Sequence, residues 1–252
     1  PWIHHKDLDL IVKSGVLKDK TEVLDLQDFQ RALVWVDGRF EGILSGGMYA
    51  IWMTHRKVKV EIVDAREIRF NHRDVSVILK SAAAKELLEE ITVAEDHVGV
   101  YFQNGRYVET LDAGRYVFWK GIEKVHVFQV NMSELSLDIT GQEIMTADKV
   151  TLRMNAVVAY TVQDAQKAVR STTDVKQSLY RETQLALRAI VGSRQLDELL
   201  ADKDALADEL KNQLVQRAES FGLKLTALGI RDVILPGEMK TLLNKVTEAK
   251  KA

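Results

Sequence analysis

Gly38-Arg39-Phe40 returns as Gly105-Arg106-Tyr107, 67 residues further along the chain. The same offset pairs Leu44 with Leu111, Gly47 with Gly114, Tyr49 with Tyr116, Trp52 with Trp119 and Lys57 with Lys124. It also pairs Val58 with Val125, Val60 with Val127, Val63 with Val130 and Glu67 with Glu134, and no gap is needed. Self-similarity at one fixed offset is an internal duplication, so whatever residues 31–70 form, residues 98–137 should form again. Asp37-Gly38 stands between two apolar runs, the strongest short signal of a β-hairpin. A turn at Ser45-Gly46-Gly47 separates the second run from residues 48–52, and residues 58–63 form a further strand. There Val58, Val60 and Ile62 alternate with Lys57, Lys59 and Glu61, as in a strand with one wet face. Each copy thus reads as a small antiparallel β subdomain, and two in tandem are expected to stack over a shared buried face. The repeated Gly-x-Tyr-x-x-Trp element reads first as core, with recognition by exposed aromatics as the alternative.

The rest of the chain divides around these copies. Residues 1–20 are an N-terminal segment with a short helix over 7–14 that stops at Gly15. His4-His5 invites a metal reading, but adjacent side chains point apart and no partner stands at ligand spacing. Residues 21–80 hold the first copy. Residues 81–92, opening Ser81-Ala82-Ala83-Ala84-Lys85, read as a helical connector capped by Ser81. Residues 93–237 hold the second copy and its continuation. Within it, residues 146–160 begin with the polar turn Thr146-Ala147-Asp148-Lys149 and then alternate. Val150, Leu152, Met154, Ala156 and Val158 take one face, with Thr151, Arg153, Asn155 and Tyr160 counted among the polar partners. The first copy has no equivalent of this strand and is a truncated copy.

Past Tyr160 the period becomes helical. Residues 164–170 form a short piece, and 174–191 a longer helix with Leu179, Thr183, Ala186, Leu187 and Ile190 on one face and Gly192 as its stop. Residues 193–200 lead into a helix over 202–221, striped by Leu206, Leu210, Leu214, Ala218 and Phe221 and closed by Gly222. A β segment over 223–235 ends at Pro236-Gly237, and residues 238–252 begin another helix. The fold class is α+β: tandem duplicated antiparallel β subdomains, the second completed by helices.

Composition narrows the function. The 35 basic and 37 acidic residues leave a net charge of −2, and no basic stripe is interleaved with aromatics, which argues against nucleic acid as a partner. With no cysteine there is no disulfide or thiolate chemistry. No apolar run approaches the ~20 residues of a membrane-crossing helix, and the given residues are not expected to include a signal peptide. The first residue is Pro1 rather than Met, so the natural protein is expected to continue upstream. HExxH, CxxC and G-x-S-x-G are absent, and His55, His72, His97 and His126 each stand alone in their segments. Ser45-Gly46-Gly47 lacks the Lys-Ser/Thr of a phosphate loop, and its counterpart Asp112-Ala113-Gly114 carries a carboxylate. The expectation is a protein without catalytic, metal-binding or cofactor-binding residues: one that assembles.

Several segments together resemble one family. Thr146-Ala147-Asp148-Lys149-Val150-Thr151-Leu152 and Asn155-Ala156-Val157-Val158-Ala159-Tyr160 resemble the core strand of the stomatin/prohibitin/flotillin/HflK-C (SPFH, Band 7) superfamily, best its slipin or stomatin-like branch. The likeness continues through Leu187-Arg188-Ala189-Ile190-Val191-Gly192, Leu196-Asp197-Glu198-Leu199-Leu200, Phe221-Gly222-Leu223 and Ile230-Arg231-Asp232-Val233-Ile234-Leu235-Pro236. The resemblance makes residues 93–237 an SPFH domain and residues 238–252 the start of a C-terminal coiled coil. It implies a membrane-associated scaffold, with its domain on the cytoplasmic side, that forms rings or cages of itself. Such a scaffold organises membrane proteins or lipid microdomains and regulates a membrane protease, with a protease or an NfeD-type protein as partner. Upstream, where the family carries a hydrophobic anchor, this chain carries the extra β copy; membrane contact through regions outside this chain or by peripheral binding is therefore expected. The resemblance brings no catalytic residue. Candidates for the surface between subunits are Arg181, Arg188, Glu209, Arg217 and Glu238. The alternative is a soluble adaptor whose N-terminal β repeat recruits a partner protein.

Overall fold

The computed structural model describes residues 2–237, apart from the Gln142 side chain. The chain divides into two compact units. One is built from the residues up to 93 with 101–109 and 113–127, the other from 94–100, 110–112 and the residues from 128 on.

The duplication holds strand for strand. The first copy runs β1 (Trp2–Ile3), α1 (Leu8–Lys13), β2 (Thr21–Leu26), β3 (Gln30–Val36), β4 (Arg39–Leu44), β5 (Gly47–Trp52) and β6 (Val58–Asp64). The second runs α2 (Val75–Ile78), α3 (Ala82–Leu87), β7 (Leu88–Val93), β8 (His97–Gln103), β9 (Arg106–Leu111), β10 (Gly114–Trp119) and β11 (Val125–Asn131). Every strand from β2 to β6 has its counterpart 67 residues on, with the same first and last position. The pairing repeats too: β3 lies between β4 and β6 as β8 lies between β9 and β11. Thr21 faces Trp52 across β2 and β5, and Leu88 faces Trp119 across β7 and β10.

The hairpin turns show why. Asp37-Gly38 and Asn104-Gly105 all have positive φ, the geometry of a type I′ turn, which Asn/Asp-Gly adopts at least cost. The Asp37 amide donates to the Lys57 carbonyl at 2.8 Å while its carboxylate accepts the Lys57 amide at 2.9 Å. Asn104 repeats both bonds with Lys124, at 2.9 and 3.0 Å.

The copies are longer than the sequence suggests. Trp2 pairs with Ile51, and Arg69 forms an isolated bridge with Phe118, so residues 69–70 take the part of β1. The Asp7 amide donates to Nδ1 of His5 at 3.1 Å, and the Asp74 amide to Nδ1 of His72 at 3.0 Å, each just ahead of a short helix. The N-terminal segment therefore belongs to the first copy. The helical connector over 81–92 is corrected in its second half. Ser81 does cap α3, accepting the Ala84 amide at 3.1 Å, but the helix ends at Leu87. Leu88 turns extended and is buried opposite Trp119, and ladder pairing overrides the helix propensity of Leu-Glu-Glu.

The copies share a core. Leu33 and Ile43 of the first sheet meet Val117 and Trp119 of the second copy, with Phe70, Ile78, Ala84 and Leu88 between them. The second unit follows with β12 (Leu135–Met145), β13 (Thr151–Val162), α4 (Ala165–Ser171), α5 (Val175–Gly192), α6 (Leu196–Ala201), α7 (Lys203–Ser220) and β14 (Leu223–Ile234). β13 is central, antiparallel to β12 and β14. Leu152, Met154, Ala156, Val158, Tyr160 and Val162 are buried along one face. Tyr160 belongs there and not with the polar partners, because it has the same parity as Val158. Sequence reading missed β12, whose ladder is interrupted between Ile139 and Gln142, with Gly141 at positive φ.

α5 packs on β12, α7 packs on β14, and the two helices pack on each other. The α7 stripe Leu206, Leu210, Leu214, Ala218 and Phe221 is buried as its period requires. Gly192 does not stop α5; it is the last helical residue, and the cap is Ser193. Residues 193–200 contain a separate helix, α6, rather than a lead into α7. The start of the C-terminal coiled coil lies outside the described residues.

The matched tryptophans give a direct stability test. Trp119 is 2% exposed and Trp52 is 40% exposed. Trp119→Ala should cost about 3–5 kcal/mol in urea unfolding, whereas Trp52→Ala should stay within about 0.5 kcal/mol of the parent.

Candidate functional site

The second unit joins its sheet to its helices through the turn before β13. Thr146 is buried, and its hydroxyl oxygen accepts the Val150 amide at 3.0 Å, closing the turn. Lys149 sits at φ +65°, the left-handed position the turn requires. The Ala147 amide donates to the Arg194 carbonyl at 2.9 Å. The Asp148 carboxylate accepts the Leu196 amide at the start of α6, 3.2 Å from Oδ1, and lies within hydrogen-bonding reach of the Thr146 hydroxyl. The Thr146 hydroxyl, ahead of the Leu196 amide, holds the Asp148 carboxyl below the usual carboxylate range. Two segments 48 residues apart, the polar turn and the start of the Leu-Asp-Glu-Leu-Leu stretch, are thereby fastened together.

The helices are ordered by their caps. Asp164, Asp174 and Asp202 each accept the amide three residues on, at the starts of α4, α5 and α7. Gly222, at φ +76°, ends α7, and its carbonyl accepts the Gln163 and Asp164 amides at 2.9 and 3.1 Å. A Cβ there would stand 2.5 Å from the Asp164 carbonyl oxygen, so the position admits only glycine. Beside α4 and the start of α5 lies a groove of about 840 Å³, lined in part by Phe128, Leu135, Tyr160, Val162, Arg170 and Asp174. Burial, and next the Asp174 charge, pushes the Tyr160 phenol upward.

The five candidate subunit contacts separate into different environments. Glu209 pairs with Arg194. Arg217 donates to Glu182 at 2.9 Å and lies 5.1 Å from the Phe221 ring centre, tying α7 to α5. Those two therefore serve contacts within the chain, each partly exposed pair contributing about 0–1 kcal/mol. Arg181 and Arg188 are exposed on α5. Between them on the same helical face stands Leu185, 63% exposed, which sequence reading missed because it fits neither the buried stripe nor a charge pattern. Glu238 lies outside the described residues. The outer face of the sheet carries its own cross-strand polar pairs: Arg153 with Glu143 at 2.6 Å, and Arg231 with Asp138 at 3.0 Å. The Asn155 side-chain oxygen accepts the Gly141 amide at 2.6 Å and pins the β12 irregularity. Among the described residues no cluster of His and carboxylates could hold a metal, and no helix is long and apolar enough to cross a membrane.

A family model described as SPFH domain / Band 7 family matches residues 91–252. A stomatin homolog of Pyrococcus abyssi is 33% identical over 159 residues, covering 63% of this chain and 59% of the relative. An uncharacterized protein of Archaeoglobus fulgidus is 33% identical over 166 residues, 66% of each chain. Mouse stomatin is 31% identical over 123 residues, 49% of this chain and 43% of its own. The chain thus spans about three fifths to two thirds of the length of the archaeal relatives. The strands β1 to β6 precede the matched residues.

The Asp148 latch predicts a pH effect of definite sign. Its carboxyl is lowered in the folded state, so its contribution is present above the ordinary carboxylate range and is lost as pH falls through the folded value. Asp148→Asn should flatten that acid limb in pH-dependent unfolding and speed exchange of the Leu196 amide, leaving the amides of β3 and β4 unchanged.

Proposed function

The chain belongs to the SPFH domain / Band 7 family, in its stomatin-like branch, and from that footing we propose that it is a membrane-associated scaffold rather than a catalyst. It assembles with copies of itself into a closed ring or cage, organises membrane proteins or lipid microdomains, and regulates a membrane protease. The observation that carries the reading is the outward face of α5, where Arg181, Leu185 and Arg188 line up on a helix whose opposite face is fully engaged in the core. A large apolar side chain held between two cations is suited to docking against a neighbour with an acidic, partly apolar surface, and rotation about a closed axis repeats one such contact without leaving an open end. The same proposal puts the domain on the cytoplasmic side of the membrane.

The adaptor reading is favoured by one observation, the position of β1 to β6 ahead of the family match, which gives the chain a folded module to offer a protease or an NfeD-type protein. Removing residues 1–80 would not test it cleanly, because Phe70 and Ile78 fill the core around Trp119.

Light scattering after size-exclusion chromatography should show an oligomer whose mass holds steady on dilution. Leu185→Glu/Arg188→Glu should shift it to smaller species while the unfolding midpoint stays at the parent value. A monomer at every concentration would count against assembly.

A further inference from the structure

The duplication supplies an internal control for every surface of the first copy. In the second copy, α2, α3 and the end of β10 lie under the first sheet, with Trp119 buried among Leu33, Ile43, Ala84 and Leu88. The first copy presents the equivalent face through α1, the turn at residues 16–20 and the end of β5. Leu8, Leu17 and Ala50 are buried there as a small core of their own. The geometry at its edge also repeats: the Met53 amide donates to the Lys20 carbonyl at 3.0 Å, as the Lys120 amide donates to the Leu87 carbonyl at 2.8 Å. Among the described residues of the first unit, though, nothing covers the outer part of this face. Trp52, Met53 and Val16 are exposed, and residues 52–57, Trp-Met-Thr-His-Arg-Lys, are exposed without a break.

Chemistry at the matched positions says what the face is suited to meet. Leu87 and Ile122, packed against the shared core in the second copy, are replaced by Lys20 and His55 in the first. Glu123, bonded to Gln103, is replaced by Arg56. Met53 stands where the second copy has Lys120, whose ammonium donates to the Lys85 carbonyl at 2.8 Å. The edge has become cationic while an apolar tip has been added. Lys18, Lys20, Arg56 and Lys57 have no ion-pair partner among the described residues, residues 52–57 hold no carboxylate, and Asp19 is the one acid in the turn. Glu22, next along the strand, is opposite Ile51 and so points to the other face from Thr21 and Trp52. A second β-sheet would call for apolar side chains at positions 20 and 55. Cations around a Trp-Met tip instead match a bilayer surface, where anionic headgroups meet Lys and Arg and an indole settles at the interface.

We propose that the turn at residues 16–20 and the loop at residues 52–57 form a docking surface for an anionic lipid bilayer. This deepens the membrane-associated reading, on which it rests, by naming the surface and the lipid charge. Trp52 and Met53 enter the headgroup region, while Lys18, Lys20, Arg56 and Lys57 face the lipid phosphates. Contact is peripheral and salt-sensitive, because headgroup attraction falls off within a Debye length.

The test is co-sedimentation of the 252-residue chain with vesicles of phosphatidylcholine alone or mixed with phosphatidylglycerol. The parent should bind only the mixed vesicles and release as salt is raised. Arg56→Gln/Lys57→Gln should bind about thirtyfold more weakly, since each surface cation contributes about fivefold. Trp52→Ser/Met53→Ser should lose binding, and the vesicle-induced blue shift of tryptophan emission should vanish in Trp52→Phe. All four side chains are exposed, so unfolding midpoints should match the parent and exclude loss of fold. Parent-like binding by the two double variants would overturn this surface and leave the membrane reading standing. A parent that assembles in light scattering yet ignores both vesicle types would overturn the docking surface alone. Self-association that depends on Trp52 without vesicle binding would overturn it in favour of a second copy.

Discussion

A three-stranded sheet cannot bury itself; one of its faces must find a cover before the strands are stable in water. That constraint organises both units. In the first, the sheet of β4, β3 and β6 is covered by α2 and α3, which the chain reaches only by starting its second copy. In the second, the sheet of β12, β13 and β14 is covered by α5 and α7. Duplication is thus an answer to a packing problem: the cover of one copy is the beginning of the next.

The parts legible in the sequence are those fixed by local chemistry. Asp37-Gly38 and Asn104-Gly105 dictate their turns through φ alone, so the ends of β3 and β8 and the starts of β4 and β9 follow from local sequence, whereas β3 begins earlier, at Gln30. The helical stripe of α7 and the capping aspartates are local in the same sense. What stayed hidden depends on distant partners. The role of residues 2–20 as part of the first copy rests on the Asp7 and Asp74 amides donating to the His5 and His72 rings and on strand bridges, with little identity to show it. β12 is masked by its irregularity at Gly141, and Leu88 reads as helix until Trp119 is placed beside it. The candidate site was half legible for a related reason. Charged residues on α5 and α7 are visible as charges, yet Arg217 meets Glu182 across 35 residues of sequence, so pattern alone does not separate an internal pair from a contact between subunits.

Asp148 shows how a short polar turn can govern a large element. β13 carries the buried face of its sheet, and the turn before it binds the segment between α5 and α7 through Ala147 and Asp148. The caps at Asp174 and Asp202 set where those helices begin, and Gly222 sets where α7 returns to the sheet. The positions of Arg181, Leu185 and Arg188 on α5 therefore depend on bonds made at and beyond the two ends of that helix. The proposed contact between identical copies would need that kind of rigidity, because an error of angle at one contact is multiplied around a ring.

The exposed edge of the first copy is the other side of the same packing logic. If burial were the only demand, the positions matching Leu87 and Ile122 would be made wholly polar once their cover was gone, and Trp52 would be replaced along with them. The cations are present at Lys20 and Arg56, but the indole remains and a methionine stands beside it. Trp52 is 40% exposed and follows the fully buried Ala50 and Ile51 at the end of β5. A large apolar side chain kept in water amid unpaired cations is poorly explained by stability and well explained by a partner that offers negative charge and an apolar interior at one surface. Among surfaces of that chemistry, a bilayer also accounts for the lack of any shaped complement to an indole on this edge, because lipid conforms to the side chain that enters it.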